Sequence, residues 1–365
     1  MTRALAGGVV GRVPAVGVTQ LTKQALVDAY GLHVLELRRI HAGLATINMV
    51  ATVAGGDRLF VKVYRRGADL DAARAAIELT RYANAGGVPT ALPLCDARGA
   101  TVHAGLGFGL SAWTFVDGDC GDTVGLDAAR MRSLGEVLGH LHDRLATYRR
   151  AEPGVRWCDL VRSRASITAM IDQVLQAPHL DRATRVWGAG VLRWRLARLP
   201  QVDEIVAGLP EPAVQVVHGD LHPGNVIFRG ERVAALIDFE PPAVRQVLWE
   251  IARAACSQYA VLHDGRWPQR LGCLLRAYRS CNSRVPAGVL AAVPWLARCV
   301  MTASVTPFDD LVEGRAAHLA AGDPLSVPAL VRYAHARQEA VARLWEYSDD
   351  DDQALRQVLG CRASR

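Results

Sequence analysis

VVHGDLHPGNVIFRGERVAALIDFE, residues Val216 to Glu240, is the stretch whose reading decides the fold. Val226-Ile227-Phe228 reads as one short apolar strand, Arg229-Gly230-Glu231-Arg232 as a turn, and Val233 to Ile237 as a second strand. Turn residues between two apolar runs are the signal of a β-hairpin. Asp220 and Asn225 precede the first strand and Asp238 follows the second. A hairpin brings its open ends together, so these three side chains should converge. Two carboxylates and an amide oxygen are hard donors suited to Mg²⁺ shared with a phosphate. Pro223-Gly224 fixes the loop that presents them.

The spacing adds to this. Asp220 lies five residues before Asn225 in His218-Gly219-Asp220-Leu221-His222-Pro223-Gly224-Asn225, and a second acid follows the hairpin in Ile237-Asp238-Phe239-Glu240. The kinase catalytic loop H-R-D-x-x-x-x-N, with its later Asp-Phe, has this arrangement. An incidental loop would need both motifs to fall at this spacing by chance. The chain therefore resembles the aminoglycoside phosphotransferase and choline kinase superfamily, the small-molecule branch of the protein-kinase-like fold. The resemblance implies an α+β, two-lobed fold: a small antiparallel-sheet N-lobe and a larger, mainly helical C-lobe. Expected boundaries are a loose leader at 1–19, a nucleotide-binding lobe at 20–116 and a catalytic and acceptor-binding lobe at 117–365.

Composition bounds the alternatives. The 365 residues are half apolar and about a fifth charged, which suits a globular chain with a sizeable core. The net charge of +6 comes without a basic block or a basic-aromatic module, so nucleic acid is not an expected partner. Lysine occurs only at Lys23 and Lys62; arginine supplies the other basic residues. Eight scattered cysteines without a C-x-x-C pair suit reduced, largely buried thiols in a cytoplasm. Arg12 and Pro14 interrupt the apolar start of the chain, and no run of membrane-spanning length is expected.

Upstream of the decisive stretch, Gln20 to Tyr30 reads as a helix that Thr22 can cap. Val34–Ile40, Asn48–Val53 and Leu59–Tyr64 follow as strands, the last two joined through Gly55-Gly56-Asp57. Between the first two lie Gly43, Leu44, Ala45 and Thr46, where the resemblance puts the loop over the ATP phosphates, although only one glycine marks it. Lys62 sits among apolar neighbours, where an unpaired ammonium is costly. The resemblance makes it the anchor of the α- and β-phosphates, against a snorkelling strand lysine. Asp69 to Ala85 reads as a helix carrying Glu78, by resemblance the ion partner of Lys62 and otherwise an exposed glutamate. Thr114, Phe115 and Val116 fall where the family's hinge meets adenine.

Downstream, Asp127–Leu145 reads as a helix whose Gly135 and Gly139 allow close packing. His140 and His142 on it read as packing or surface residues. Two helical segments broken near Pro178 come next, then a helix from Leu248 to Arg253. On the resemblance, Asp220 accepts the acceptor's proton, Asn225 and Asp238 hold Mg²⁺, and His218, His222 and Glu250 order the loop. Glu240, where kinases have glycine, could face metal or a cationic substrate. The acidic run Ser348–Asp352 is solvated, or walls a cationic-substrate pocket. The expected function is transfer of the γ-phosphate of MgATP to a hydroxyl of a small molecule, foremost an antibiotic or other natural product. A metabolic kinase for choline, ethanolamine, homoserine or a sugar is the alternative, and a non-catalytic ATP-binding regulator a third. An arginine-lined pocket would favour a carboxylate-bearing or phosphorylated acceptor over a polycation. Oligomeric state is not legible.

Overall fold

The computed structural model describes residues 15–40, 46–105, 107–149, 164–313 and 326–361. Gly43, Leu44 and Ala45 lie outside the described residues. The chain forms two compact units, one of Met1–Arg74 with Leu92–Phe115 and one of Ala75–Ala91 with Val116–Arg365.

In the first unit, α1 (Ala15–Tyr30) precedes strands β1 (Val34–Ile40), β2 (Thr46–Val53) and β3 (Arg58–Tyr64). Strands β4 (His103–Gly105) and β5 (Phe108–Thr114) complete an antiparallel sheet in the order β1-β2-β3-β5-β4. Alternation in β3 puts Leu59, Val61 and Val63 into the core with Met49, Ala51, Leu110 and Ala112. Lys62 therefore emerges on the opposite face, in register with Asn48 and Ser111. Thr22 does not cap α1. The helix begins earlier, and Thr22 Oγ1 donates to Val18 O at 2.7 Å from the helix interior. Asp69 caps α2 (Leu70–Ala85), its Oδ1 accepting from the amides of Asp71 and Ala72.

The second unit is mainly helical. Its core forms around α3 (Ala128–Leu145), which Asp127 caps by accepting from Arg130 N at 2.8 Å. Helices α4 (Arg164–Gln176) and α5 (Arg182–Leu196) pack with Phe308 and Ala334 as a second cluster. A short antiparallel sheet carries the decisive stretch: β6 (Asp119–Cys120), β8 (Val226–Arg229) and β9 (Arg232–Leu236) lie in the order β6-β8-β9. Beside it, β7 (Val214–Val216) pairs with β10 (Val244–Gln246), which runs into α7 (Val247–Ala255). The label α6 denotes Leu199–Gly208.

The helix α8 (Trp267–Cys281) packs closely on α3 because α3 presents glycines to it. A Cβ on Gly135 would stand 2.2 Å from Leu274 O, and one on Gly139 2.6 Å from Tyr278 O. Gly135→Ala should therefore destabilise the protein by about 1–3 kcal/mol. The sign is opposite to the roughly 1 kcal/mol gain that alanine brings to a helix interior. Urea unfolding measures it, and an unchanged or raised midpoint would refute the close approach.

One further expectation changes, and another gains a role. The run Ala287–Val312 is long and apolar enough to cross a membrane, contrary to the sequence reading, but most of it is buried inside the protein. It includes α9 (Val293–Ala303), whose Leu296, Ala297 and Met301 belong to the main core. The acidic run, exposed at Ser348, Asp349 and Asp350 as its solvated reading expects, is also the first turn of α11 (Asp349–Val358), which follows α10 (Val327–Trp345). Ser348 and Asp351 form a capping box, and Asp352 Oδ1 accepts from Trp295 Nε1 at 2.8 Å. Carboxylates at a helix N-terminus complement its dipole, so the run has a folding role.

Candidate functional site

The loop between β7 and β8 is built on one buried imidazole. His218 is fully buried; its Nε2–H donates to Ile237 O at 2.9 Å and its Nδ1 accepts from Asp220 N at 3.3 Å. The carbonyl of His218 accepts from Glu240 N at 3.0 Å, so one residue grips both sides of Asp238. Its ring also lies against Phe239, with centroids 4.1 Å apart. Burial pushes this imidazole below its usual value, despite the opposing charges of Glu250, Asp238 and Asp220. The neutral Nε2–H tautomer supplies both hydrogen bonds.

This grip bears on Asp238, the non-glycine residue with positive φ (66°) among the described residues. Such a conformation costs about 1–3 kcal/mol and persists where surrounding contacts over-determine it. Phe239 is buried, while Asp238 and Glu240 are exposed. Gly219 takes a φ of 93°, and a Cβ there would stand 2.6 Å from Glu240 Cβ, so the loop demands glycine at this position.

Asp220 and Asn225 meet directly. Asn225 Nδ2 donates to Asp220 O at 2.9 Å and lies 3.5 Å from Asp220 Oδ2. Ile237 N donates to Asn225 O at 3.0 Å, which sets Asp238 beside Asn225 across the hairpin. His222 Nδ1 accepts from Gly224 N at 3.1 Å, and its Nε2 is 3.9 Å from Asp220 Oδ2. Burial holds His222 below its usual value, opposed by Asp220 and helped by Arg253.

Under the loop lies a carboxylate. Glu250 on α7 is fully buried and accepts from His218 N at 3.0 Å, Gly219 N at 2.8 Å and His142 Nε2 at 2.9 Å. His142, also fully buried, meets Tyr278 OH through Nδ1 at 3.0 Å. Burial alone would raise the Glu250 carboxyl, yet the His142 hydrogen bond, the nearby imidazoles and the Gly219 amide hold it below the ordinary glutamate value. Reading His142 as simple packing missed this: its partners are 108 and 136 residues away.

Two arginines missing from the sequence-level site also touch the loop. Arg253 Nη2 is 2.6 Å from Asp220 Oδ1, and Arg245 Nη1 donates to Gly219 O at 3.1 Å. The buried Arg245 Nε has no hydrogen-bond partner. Part of the signal was available: Trp249 and Arg253 are four residues apart on one helix and share a face, whereas Arg245 lies on the strand before it.

Among the described residues no group of three His, Cys, Asp or Glu side chains forms a ready metal site. Asn225 and Asp238 instead offer one amide oxygen and one carboxylate. That set fits Mg²⁺, which takes one or two protein oxygens and completes its shell with waters and phosphates.

In the first unit, Lys62 Nζ lies 5.9 Å from the Trp113 ring. Thr46 Oγ1 donates to Asn48 Oδ1 at 2.8 Å. Thr114 N and Oγ1 are engaged with Leu92, and Phe115 N donates to Arg58 O at 3.2 Å. Those two amides are thus committed within the unit, while Val116 begins the other unit. Glu78, exposed on α2, also falls in the second unit.

Comparison with known proteins gives four matches. A homoserine kinase from Beijerinckia indica subsp. indica is 31% identical over 146 residues, which is 38% of each chain. The match thus spans well under half of that relative. The solved amicoumacin kinase hAmiN, in complex with AMP-PNP, Ca²⁺ and Ami, superposes with a TM-score of 0.60 at 16% identity, covering 90% of this chain and 94% of that one. A microcompartment-associated aminopropanol kinase also reaches 0.60 at 16% identity, covering 92% and 99%. The fold is therefore the α+β, kinase-like one expected. The family model described as "Phosphotransferase enzyme family" matches residues 36–288, more than half of the chain, and the chain belongs to that family.

Proposed function

We propose that this protein transfers the γ-phosphoryl group of MgATP to a hydroxyl of a small molecule. The observation that supports the reading is the hairpin that holds Asn225 Nδ2 2.9 Å from Asp220 O and bonds Asn225 O, at 3.0 Å, to the amide of Ile237, the residue before Asp238. Asp220 orients the acceptor hydroxyl and takes its proton. The acceptor oxygen bonds to the γ-phosphorus, the bond from that phosphorus to the β,γ-bridging oxygen breaks, and ADP leaves with that oxygen. Mg²⁺, when bound by Asn225 and Asp238, neutralises phosphate charge. His218 and Glu250 hold the loop, so catalysis is mostly positioning and charge complementarity. Family resemblance assigns Lys62 to the α- and β-phosphates and Val116 to the hinge that meets adenine.

Nucleotide and a divalent cation in the amicoumacin kinase complex are in keeping with this reading. The equal TM-scores of an antibiotic kinase and an aminopropanol kinase do not choose between natural-product and metabolic acceptors. The test is ATP-dependent phosphorylation across aminoglycosides, peptide and nucleoside antibiotics, amino alcohols, hydroxy acids and sugars. Product made by wild type and not by Asp220→Asn supports the assignment; failure to bind MgATP refutes it. Lys62→Ala should lower kcat/KM for ATP by about 10²-fold while changing acceptor KM little. Steady-state kinetics with each substrate varied decides this, and the reverse pattern removes Lys62 from the phosphate role.

A further inference from the structure

Arg245, Trp249 and Arg253 form one face that β10 and α7 present to the loop. The guanidinium carbon of Arg253 lies 4.8 Å from the Trp249 ring centroid and that of Arg245 5.5 Å from it. One indole thus braces two cations against consecutive loop residues, Gly219 through Arg245 and Asp220 through Arg253.

The Asp220–Arg253 pair is a poor device for stability. Its side chains are 36% and 32% exposed, and such pairs contribute about 0–1 kcal/mol. Nor is the guanidinium used up. Nη2 serves Asp220, while Nε and Nη1 meet no partner among the described residues. Nη2 carries a second N–H, which with that of Nε or Nη1 leaves a two-donor edge of the guanidinium beside the residue that receives the acceptor hydroxyl.

We propose that Arg253 binds a carboxylate of the acceptor, so that the acceptor class is a small hydroxy acid whose carboxylate lies near the hydroxyl to be phosphorylated. This rests on the kinase reading of Asp220. A guanidinium fork matches a carboxylate in shape and charge, and stacking on Trp249 pre-organises it. A polycationic acceptor would bring ammonium groups against two guanidiniums, a repulsive arrangement. A phosphate monoester would call for more cationic donors, yet Arg245 is engaged with Gly219 O.

The experiment uses the full chain with MgATP and four hydroxy acids: L-homoserine, L-threonine, 4-hydroxybutyrate and glycerate. Each is paired with its own carboxamide, which keeps shape and removes charge. Calorimetric titration of the same pairs is run with the protein saturated by a non-hydrolysable ATP analogue. Wild type should prefer at least one acid over its amide by tenfold or more in kcat/KM. Arg253→Gln should bring that ratio within about threefold, chiefly by raising KM for the acid, and Arg253→Lys should restore part of it. Equal losses for acid and amide would overturn the proposal and leave Arg253 a positioning residue for Asp220. Phosphorylation of another acceptor class, or nucleotide binding without any acid bound or turned over, would overturn it while sparing the kinase reading. Loss of nucleotide binding in wild type would remove both.

Discussion

Asp220→Asn should lower kcat by about 10³-fold and leave MgATP affinity within about threefold. A positioned general base contributes about 10²–10⁴-fold, and asparagine cannot take the proton. The substitution is otherwise mild: the side chain is partly exposed, and an amide oxygen can still accept from Arg253 Nη2, now 2.6 Å from Asp220 Oδ1. The backbone contacts stay, because Asn225 Nδ2 bonds to the carbonyl of residue 220 and His218 Nδ1 to its amide. Asp238→Asn supplies the contrast. It weakens the oxygen set suited to Mg²⁺ and should reduce MgATP affinity along with turnover. Nucleotide titration and single-turnover phosphorylation separate the two. Turnover of Asp220→Asn within tenfold of wild type would remove Asp220 from the chemistry.

The sequence is most legible where local rules govern. Alternation and turn chemistry locate β1, β3 and the hairpin of β8 and β9, and the same alternation turns Lys62 away from the core. Hairpin geometry likewise implies that Asp220, Asn225 and Asp238 approach one another. Legibility ends where a partner is remote in sequence. The contacts of His142 with Glu250 and Tyr278 join α3, α7 and α8, and periodicity records no more than that the position is buried. Arg253 was visible as the end of a helix, but its pairing with Asp220 depends on how α7 lies on the loop. The capping role of the acidic run, solvated as expected at its first residues, was missed for another reason. Ser348 followed three residues later by Asp351 resembles a capping box with Asp in place of Glu, and charge count drew attention from it.

Glu250→Ala should destabilise the fold by about 3–5 kcal/mol, the usual cost of breaking a buried charged hydrogen-bond network from one side. It removes the acceptor of His218 N, Gly219 N and His142 Nε2 at once, and no water-exposed path replaces it, since Glu250 and His142 are fully buried. Each stranded donor keeps a desolvation penalty of about 1–3 kcal/mol. Acid should act through the same group. Its folded-state value lies below the ordinary glutamate value of 4.5, so its contribution is complete above that pH and is lost as pH falls through the folded value. Glu250→Asp is the informative companion, because it keeps the charge and shortens the reach by one methylene. It should retain part of the stability and show reduced kcat with little change in nucleotide affinity, as Gly219 and Asp220 shift together. Urea unfolding at neutral and acidic pH reads the first effect and steady-state kinetics the second. A Glu250→Ala protein within 1 kcal/mol of wild type, with the acid limb of its stability unchanged, would mean the loop is held by His218 alone.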